Sequence, residues 1–196
     1  MTALRDFDLG ATLECGQCFR WDRQPDGSYW GTAGGKALCV SQDHMEAAMD
    51  DPFWRAYFDL DRDYAAIREA LSASSPVLAK AASFAPGIRI LQQDPWEALC
   101  SFIISQNNNI PRIKGIISRL CEAFGEEMEQ GVRCFPSPER LAGLEEEDLA
   151  YLRCGFRARY ILDAARKVAS GEVDLEALRT APLAQAREQL MAIVGV

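Results

Sequence analysis

The sequence contains no stretch approaching the roughly 18 consecutive apolar residues that a membrane-spanning helix needs. Its opening, MTALRDFDLG, supplies neither the charged nor the apolar part of a secretory signal. A soluble cytoplasmic protein with no membrane partner is the expectation. Internal repeats and low-complexity segments are missing too, which leaves a packed body rather than an array or a tail. Histidine is reduced to His44, in a polar stretch, and reads as a surface residue. The seven cysteines are odd in number and irregularly spaced, which argues against a disulfide framework and for reduced thiols. Cys15-Gly16-Gln17-Cys18 has C-x-x-C spacing, but no second pair follows and no β-α-β setting surrounds it, so a strand is the preferred reading over zinc or dithiol chemistry. With 48% hydrophobic content in 196 residues, the chain can bury one good core or two small ones. Trp30, Trp54, Trp96 and the methionines read as part of it.

The most informative stretch present is SFIISQNNNIPRIKGIISRL, Ser101 to Leu120. Asp94, Pro95 and Glu97 read as N-cap, first-turn proline and capping-box partner, which predicts a helix from about Pro95 to Gln106. A second helix is predicted from near Pro111, with Ile113, Ile116, Ile117, Leu120 and Phe124 on one face and Gly125 as its stop. Asn107, Asn108 and Asn109 then occupy the corner, with Arg112 and Lys114 one turn on. Two readings stay open on this local chemistry. The amides satisfy their own backbone at a capped corner, or amides and cations together read a base edge beside a phosphate.

Net charge, −8, runs against a phosphate-binding partner, but its distribution does not. Residues 107–120 hold Arg112, Lys114 and Arg119 with no acid, and residues 151–170 hold Arg153, Arg157, Arg159, Arg166 and Lys167 against Asp163 alone. Residues 121–150 between them carry nine acids, including Glu126, Glu127, Glu129 and the run Glu145 to Asp148, against Arg133 and Arg140. Such segregation suits a molecule with one face toward phosphates and another toward solvent.

Organisation changes once along the chain. Residues 1–42 read as β, with CFRW, SYWGTA and KALCVSQ separated by the turn formers Pro25-Asp26-Gly27 and Gly34-Gly35. From about His44 the pattern is helical. Further helices are expected from Pro138, from Phe156 to Ser170 with Gly171 as the stop, and from Pro182 to about Ile193. The fold class is α+β: a small N-terminal antiparallel β unit with flanking helices over residues 1–85, and a helical body over residues 86–196.

Four separated segments, LECGQCFRW (13–21), ILQQDPWEALCSFIISQNNNIPRIKGIISRLCEAFG (90–125), CFPSPERLAGL (134–144) and CGFRARYILDAAR (154–166), together resemble the 8-oxoguanine DNA glycosylase/AP lyase family of the helix-hairpin-helix superfamily. SQNNN-x-x-R and GFRARY carry the specificity of the match. In that family the last helix leads into a hairpin L-x-x-h-x-G-h-G-x-K, whose lysine is the nucleophile, and an aspartate follows. The sequence reads AIVGV at its end and holds the first glycine, Gly195. Lys36, Lys80, Lys114 and Lys167 match no family position, so the lysine and aspartate are expected beyond Val196 and the sequence reads as a fragment stopping inside the hairpin. Its last helix is then expected to leave Leu190, Ile193 and Val194 exposed.

The resemblance implies base-excision repair of oxidised purines in double-stranded DNA, by flipping the damaged base into a pocket. It implies that Asn107 enters the vacated space, that Asn108 beside it also binds DNA, that Arg112 and Arg157 donate to the orphaned cytosine, and that Phe156 wedges between bases. It implies that Gly16 turns a carbonyl toward N7, which carries a proton in 8-oxoguanine and none in guanine, with Gln17 and Phe19 shaping the surroundings. Gly16 is expected on a strand. No cofactor or metal is expected; a monomer when complete, associated with the nucleoid if bacterial, is. A catalytically silent DNA-binding fragment or paralogue, and a cytosolic helical protein that binds some acidic partner or small molecule with the amide corner purely structural, are the competing readings.

Overall fold

A computed structural model describes residues 6–128 and 131–196. Glu129 of the acidic stretch lies outside the described residues. The chain divides into two compact units, residues 1–31 with 37–93, and residues 32–36 with 94–196.

The first unit opens with a helix rather than a strand. The Asp8 carboxylate accepts from the Ala11 N–H at 2.8 Å and starts α1 (Leu9–Glu14), which buries Leu9, Thr12 and Leu13. Three short strands follow, β1 (Trp21–Arg23), β2 (Tyr29–Ala33) and β3 (Lys36–Val40), in the order β1-β2-β3. β1 and β2 are antiparallel, with Trp21 opposite Gly31. A Cβ on Gly31 would lie 2.2 Å from the Trp21 ring, so the indole crosses the strand where only glycine leaves room. That indole is buried against Trp54 at 5.6 Å and Phe58 at 5.5 Å, and donates to the Tyr57 hydroxyl at 2.9 Å. These partners come from α3 (Pro52–Tyr57) and the residue after it, which follow α2 (Glu46–Asp50). The Tyr29 hydroxyl donates to Glu14 at 2.7 Å; burial and that carboxylate push it up to about 12. α4 (Tyr64–Ser74) and α5 (Pro76–Phe84) pack on each other, and neither buries a residue completely.

An extended segment, residues 87–93, closes this unit. Gly87 accepts from the Asp8 N–H at 2.8 Å, Arg89 N–H donates to the Thr12 hydroxyl at 3.2 Å, and Gln92 N–H donates to the Tyr57 carbonyl at 2.8 Å. These bonds carry the unit to Gln93.

The second unit is helical, apart from residues 32–36: α6 (Pro95–Ser105), α7 (Ile110–Phe124), α8 (Pro138–Ala142), a 3-10 turn (Ala150–Leu152), α9 (Arg157–Ala169), α10 (Leu175–Leu178) and α11 (Leu183–Met191). Ile103, Ile104, Ile116, Ile117, Leu120, Leu141, Leu149, Leu152, Ile161 and Leu162 are fully buried. At roughly 1.5–3 kcal/mol for each such side chain, this core outweighs any single cap. α7 stops at Gly125, though not through a left-handed residue. Gly125 is extended, and a Cβ there would lie 2.0 Å from the Cys134 carbonyl. The loop that leaves at this point is closed by Cys134 N–H to the Glu126 carbonyl at 2.8 Å and by an antiparallel bridge between Glu127 and Arg133.

The α+β class and the main helices follow the sequence pattern. Three features do not. Residues 9–14 are helical and β1 begins only at Trp21, which leaves Gly16 in the connecting loop and not on a strand. Trp30 is exposed because strand alternation puts it on the face opposite Tyr29, and Met191 is exposed at the end of α11. Ile193, expected at the surface, is buried, while Val194 is exposed as expected. Among the described residues no helix is long and apolar enough to cross a membrane.

Candidate nucleic-acid interface

In the helical unit, the residues between α6 and α7 form a tight corner. Asn109 is the N-cap of α7, its side-chain oxygen accepting from the Arg112 N–H at 3.0 Å. Asn108 donates to the Ile104 carbonyl at 3.1 Å and so closes the end of α6. Two of the three amides therefore serve their own backbone. Asn107 differs: it takes φ +47°, is exposed, and its side chain has no hydrogen-bond partner among the described residues. A left-handed non-glycine residue costs about 1–2 kcal/mol, and the surroundings hold it there.

What holds it is Arg157, at the start of α9. Its guanidinium is 3% exposed and donates to the Asn107 carbonyl at 3.1 Å, the Cys154 carbonyl at 3.2 Å and, through two nitrogens, the Gln106 carbonyl. The donors expected to face a cytosine are occupied by the corner's own carbonyls. The Arg157 guanidinium lies 4.6 Å from the centroid of the Phe156 ring, which also meets Tyr160 edge-on at 5.6 Å. Phe156 is 51% exposed, a large aromatic face left at the surface beside the corner.

Arg112 is exposed one turn into α7 and donates at 3.4 Å to the carbonyl of Arg153, itself left-handed at φ +54°. Arg119 donates twice to the Leu152 carbonyl, at 3.2 and 2.8 Å. The loop before α9 is thus fastened to α7 by cations, and Asn107, Arg112, Phe156 and Arg157 are brought together. Burial pushes the Cys154 thiol up, against the opposing pull of Arg157, Arg119 and Arg112. Sequence reasoning missed Gln106, whose side-chain amide donates to the Gly195 carbonyl. It also missed the Tyr160 ring, which lies so close to Gly195 that a Cβ there would be 2.5 Å away. Neither residue carries a local signal, because each partner lies far along the chain.

In the first unit, Gly16 takes φ +88°, open to glycine at no steric cost. No donor among the described residues is bonded to its carbonyl. Phe19 is buried, and belongs to the core. Gln17 donates to the Thr12 carbonyl at 2.9 Å, the Arg89 carbonyl at 2.8 Å and the Cys15 sulfur at 3.4 Å, and accepts from the Leu91 N–H at 3.0 Å. Arg89, unnoticed in the sequence, is 4% exposed; it donates to the Asp59 carbonyl at 2.7 Å and lies 4.5 Å from the Tyr64 ring centroid. Cys15 is exposed and Cys18 buried, and all seven cysteines are free thiols. Among the described residues no group of three or more His, Cys, Asp or Glu stands in position to hold a metal ion.

Comparison with known proteins agrees with this division. Residues 2–99 match the 8-oxoguanine DNA glycosylase N-terminal domain, and residues 100–196 match the HhH-GPD superfamily of base excision DNA repair proteins. The structure of MBOgg1 in complex with a low-affinity DNA ligand superposes with a TM-score of 0.86 at 46% identity, over 97% of this chain and 69% of that one. The Clostridium acetobutylicum 8-oxoguanine glycosylase/lyase, solved with double-stranded DNA containing cytosine opposite 8-oxoG, gives a TM-score of 0.85 at 36% identity over 97% and 69%. The N-glycosylase/DNA lyase OGG1 of Arabidopsis thaliana is 29% identical over 97% of this chain and 58% of its own length. The chain spans 58% of the length of that Arabidopsis thaliana relative and 33% of the N-glycosylase/DNA lyase of Saccharomyces cerevisiae. With both halves matched in order and the fold shared along nearly its whole length, the chain belongs to the 8-oxoguanine DNA glycosylase family.

Proposed function

We propose that this chain performs the recognition steps of an 8-oxoguanine DNA glycosylase/lyase, holding double-stranded DNA with the damaged base flipped out and its cytosine partner orphaned. The observation that carries this is the corner of the helical unit: a free amide on the left-handed Asn107, an exposed aromatic at Phe156 and an exposed fork of donors at Arg112, fixed by the buried Arg157. Asn107 fills the vacated space, Phe156 wedges beside it, and Arg112 donates to the acceptor edge of the cytosine. Arg157 reaches a base only by leaving the carbonyls of Gln106 and Asn107; where it stays, it sets the shape of the corner. Gly16 offers its carbonyl to the N7 proton that distinguishes the oxidised base.

The lyase chemistry that this reading serves is attack of a lysine amine on the sugar C1′ as the bond to the base breaks and the base leaves, followed by opening of the C1′–O4′ bond to a Schiff base that permits β-elimination of the strand. Lys167 is ill placed for this, because its ammonium is held by Asp163 at 3.0 Å and by the Ala192 carbonyl at 2.6 Å. The test is duplex binding by the 196-residue chain at several salt concentrations. It should prefer 8-oxoguanine opposite cytosine over guanine opposite cytosine, with affinity falling as salt rises. Equal affinity for both duplexes would remove the lesion-recognition reading, and borohydride trapping through Lys36, Lys80, Lys114 or Lys167 would place the nucleophile inside this chain.

A further inference from the structure

From the bonding around the loop that follows α1, we infer that Gln17 is the positioning residue for the Gly16 carbonyl, and so for discrimination between oxidised and ordinary guanine. The inference rests on the reading of Gly16 given above. A carbonyl on a left-handed glycine is the least constrained acceptor a chain can offer, since rotation on either side of the residue carries little penalty. One that separates a protonated N7 from a bare one must point in one direction, because misalignment weakens a hydrogen bond steeply.

The peptide unit that bears this carbonyl ends at Gln17, and Gln17 is fixed at every polar atom of its side chain. Nε2 bridges the Thr12 carbonyl, at the last turn of α1, and the Arg89 carbonyl, while Oε1 takes the Leu91 N–H. Its own main-chain carbonyl accepts from the Gln93 side chain at 2.7 Å. The segment it grips is itself anchored. Arg89 N–H donates to the Thr12 hydroxyl, and the buried Arg89 guanidinium reaches the carbonyls of Asp59 and Arg62 from a place beside the Phe7 and Tyr64 rings. Gln17 therefore splints a conformationally permissive residue between a helix end and a fastened extended segment, and no donor among the described residues takes the Gly16 carbonyl.

The experiment measures equilibrium binding of the 196-residue chain to three duplexes, carrying 8-oxoguanine, guanine or a stable abasic analogue opposite cytosine. Gln17→Met keeps the shape and removes every hydrogen bond of the side chain; Gln93→Leu removes the bond to the Gln17 carbonyl and leaves the Gln17 side chain in place. Both should lower the preference for 8-oxoguanine over guanine, the former by roughly tenfold, as expected for one well-aligned hydrogen bond, and the latter by less. Affinity for the abasic duplex, which has no base to read, should stay unchanged. Retained preference in both variants overturns the inference and leaves the Gly16 reading standing. A parallel loss on all three duplexes assigns Gln17 to general stability and overturns it also. No preference in the unmodified chain overturns the Gly16 reading and the inference with it.

Discussion

Among the described residues two arginines are buried, one in each unit, and they do different things with the same chemistry. Arg89 is 4% exposed and Arg157 is 3% exposed, each donates to main-chain carbonyls, and each lies near an aromatic ring. Arg89 sits between Phe7 and Tyr64 with its Nε unpaired, a cost accepted for tying three distant stretches into one unit. Arg157 uses its donors on one corner, beside an aromatic that is half exposed. A buried arginine is thus an internal fastening in one unit and the frame of a surface site in the other, and burial alone does not tell which.

The largest expected effect separates the two. Arg89→Ala leaves a cavity beside the Phe7 and Tyr64 rings and frees two part-buried carbonyls, and should cost about 3–4 kcal/mol in urea unfolding. Arg157→Ala removes packing beside an aromatic that is already half exposed and frees the buried Cys154 carbonyl and the part-buried carbonyls of Gln106 and Asn107, and should cost about 2 kcal/mol. Equal losses would erase the distinction.

Arg112→Ala comes next, and should leave stability within about 0.5 kcal/mol, since Arg112 is exposed. Its effect belongs to specificity: preference for cytosine opposite the lesion should relax by roughly tenfold, about 1.4 kcal/mol. The measurement is binding to 8-oxoguanine opposite C, A, G and T at one salt concentration. Uniform weakening across the four would reduce Arg112 to a phosphate contact.

Asn107 tests whether the corner's backbone or its amide matters. Asn107→Gly accepts φ +47° freely, whereas Asn107→Ala should cost about 1 kcal/mol of stability. Both should weaken binding to every opposite base alike, because the vacated space goes unfilled whichever base was there. Wild-type binding by the glycine variant would assign the effect to the turn rather than the amide.

The smallest effect is a pH dependence confined to the first unit. The Tyr29 hydroxyl is raised from 10.0 to about 12 by burial and the Glu14 carboxylate. A raised value favours the protonated form in the folded state, so its stabilisation is complete below about pH 10 and is lost as pH climbs from 10 to 12. Urea midpoints should fall across that window, and Tyr29→Phe should flatten the fall.

How much of this was legible in the sequence depended on how far each bond reaches. The ends of α6, α7 and α8 were readable because Asp94, Asn109 and Ser137 each cap an N–H three residues on. The same logic placed Gly171, at φ +76°, after α9. α1 carried the same signal at Asp8, but its short span and Gly10 obscured it beside aromatic strand-like runs. The corner was readable as a place, yet the split between Asn108 and Asn109 as caps and Asn107 as the free amide was not. Gln17, Arg89 and Gln106 were beyond reach in a different way, since their partners lie 72, 30 and 89 residues away. Trp30 was misjudged because hydrophobicity alone does not say which face of a strand a residue takes.

The closure beyond Gly125 has a use for anyone building on this protein. Cys134 is pressed against Gly125, and the bonds from Glu126 and Glu127 back to Cys134 and Arg133 hold both ends of the acidic loop at fixed spacing. Whatever connects those ends is entropically almost independent of its length, each doubling adding only about 0.6 kcal/mol. A dye-bearing peptide or a small partner domain can therefore be spliced into the loop while α7 and α8 keep their packing, which turns this stretch into a port for reporters.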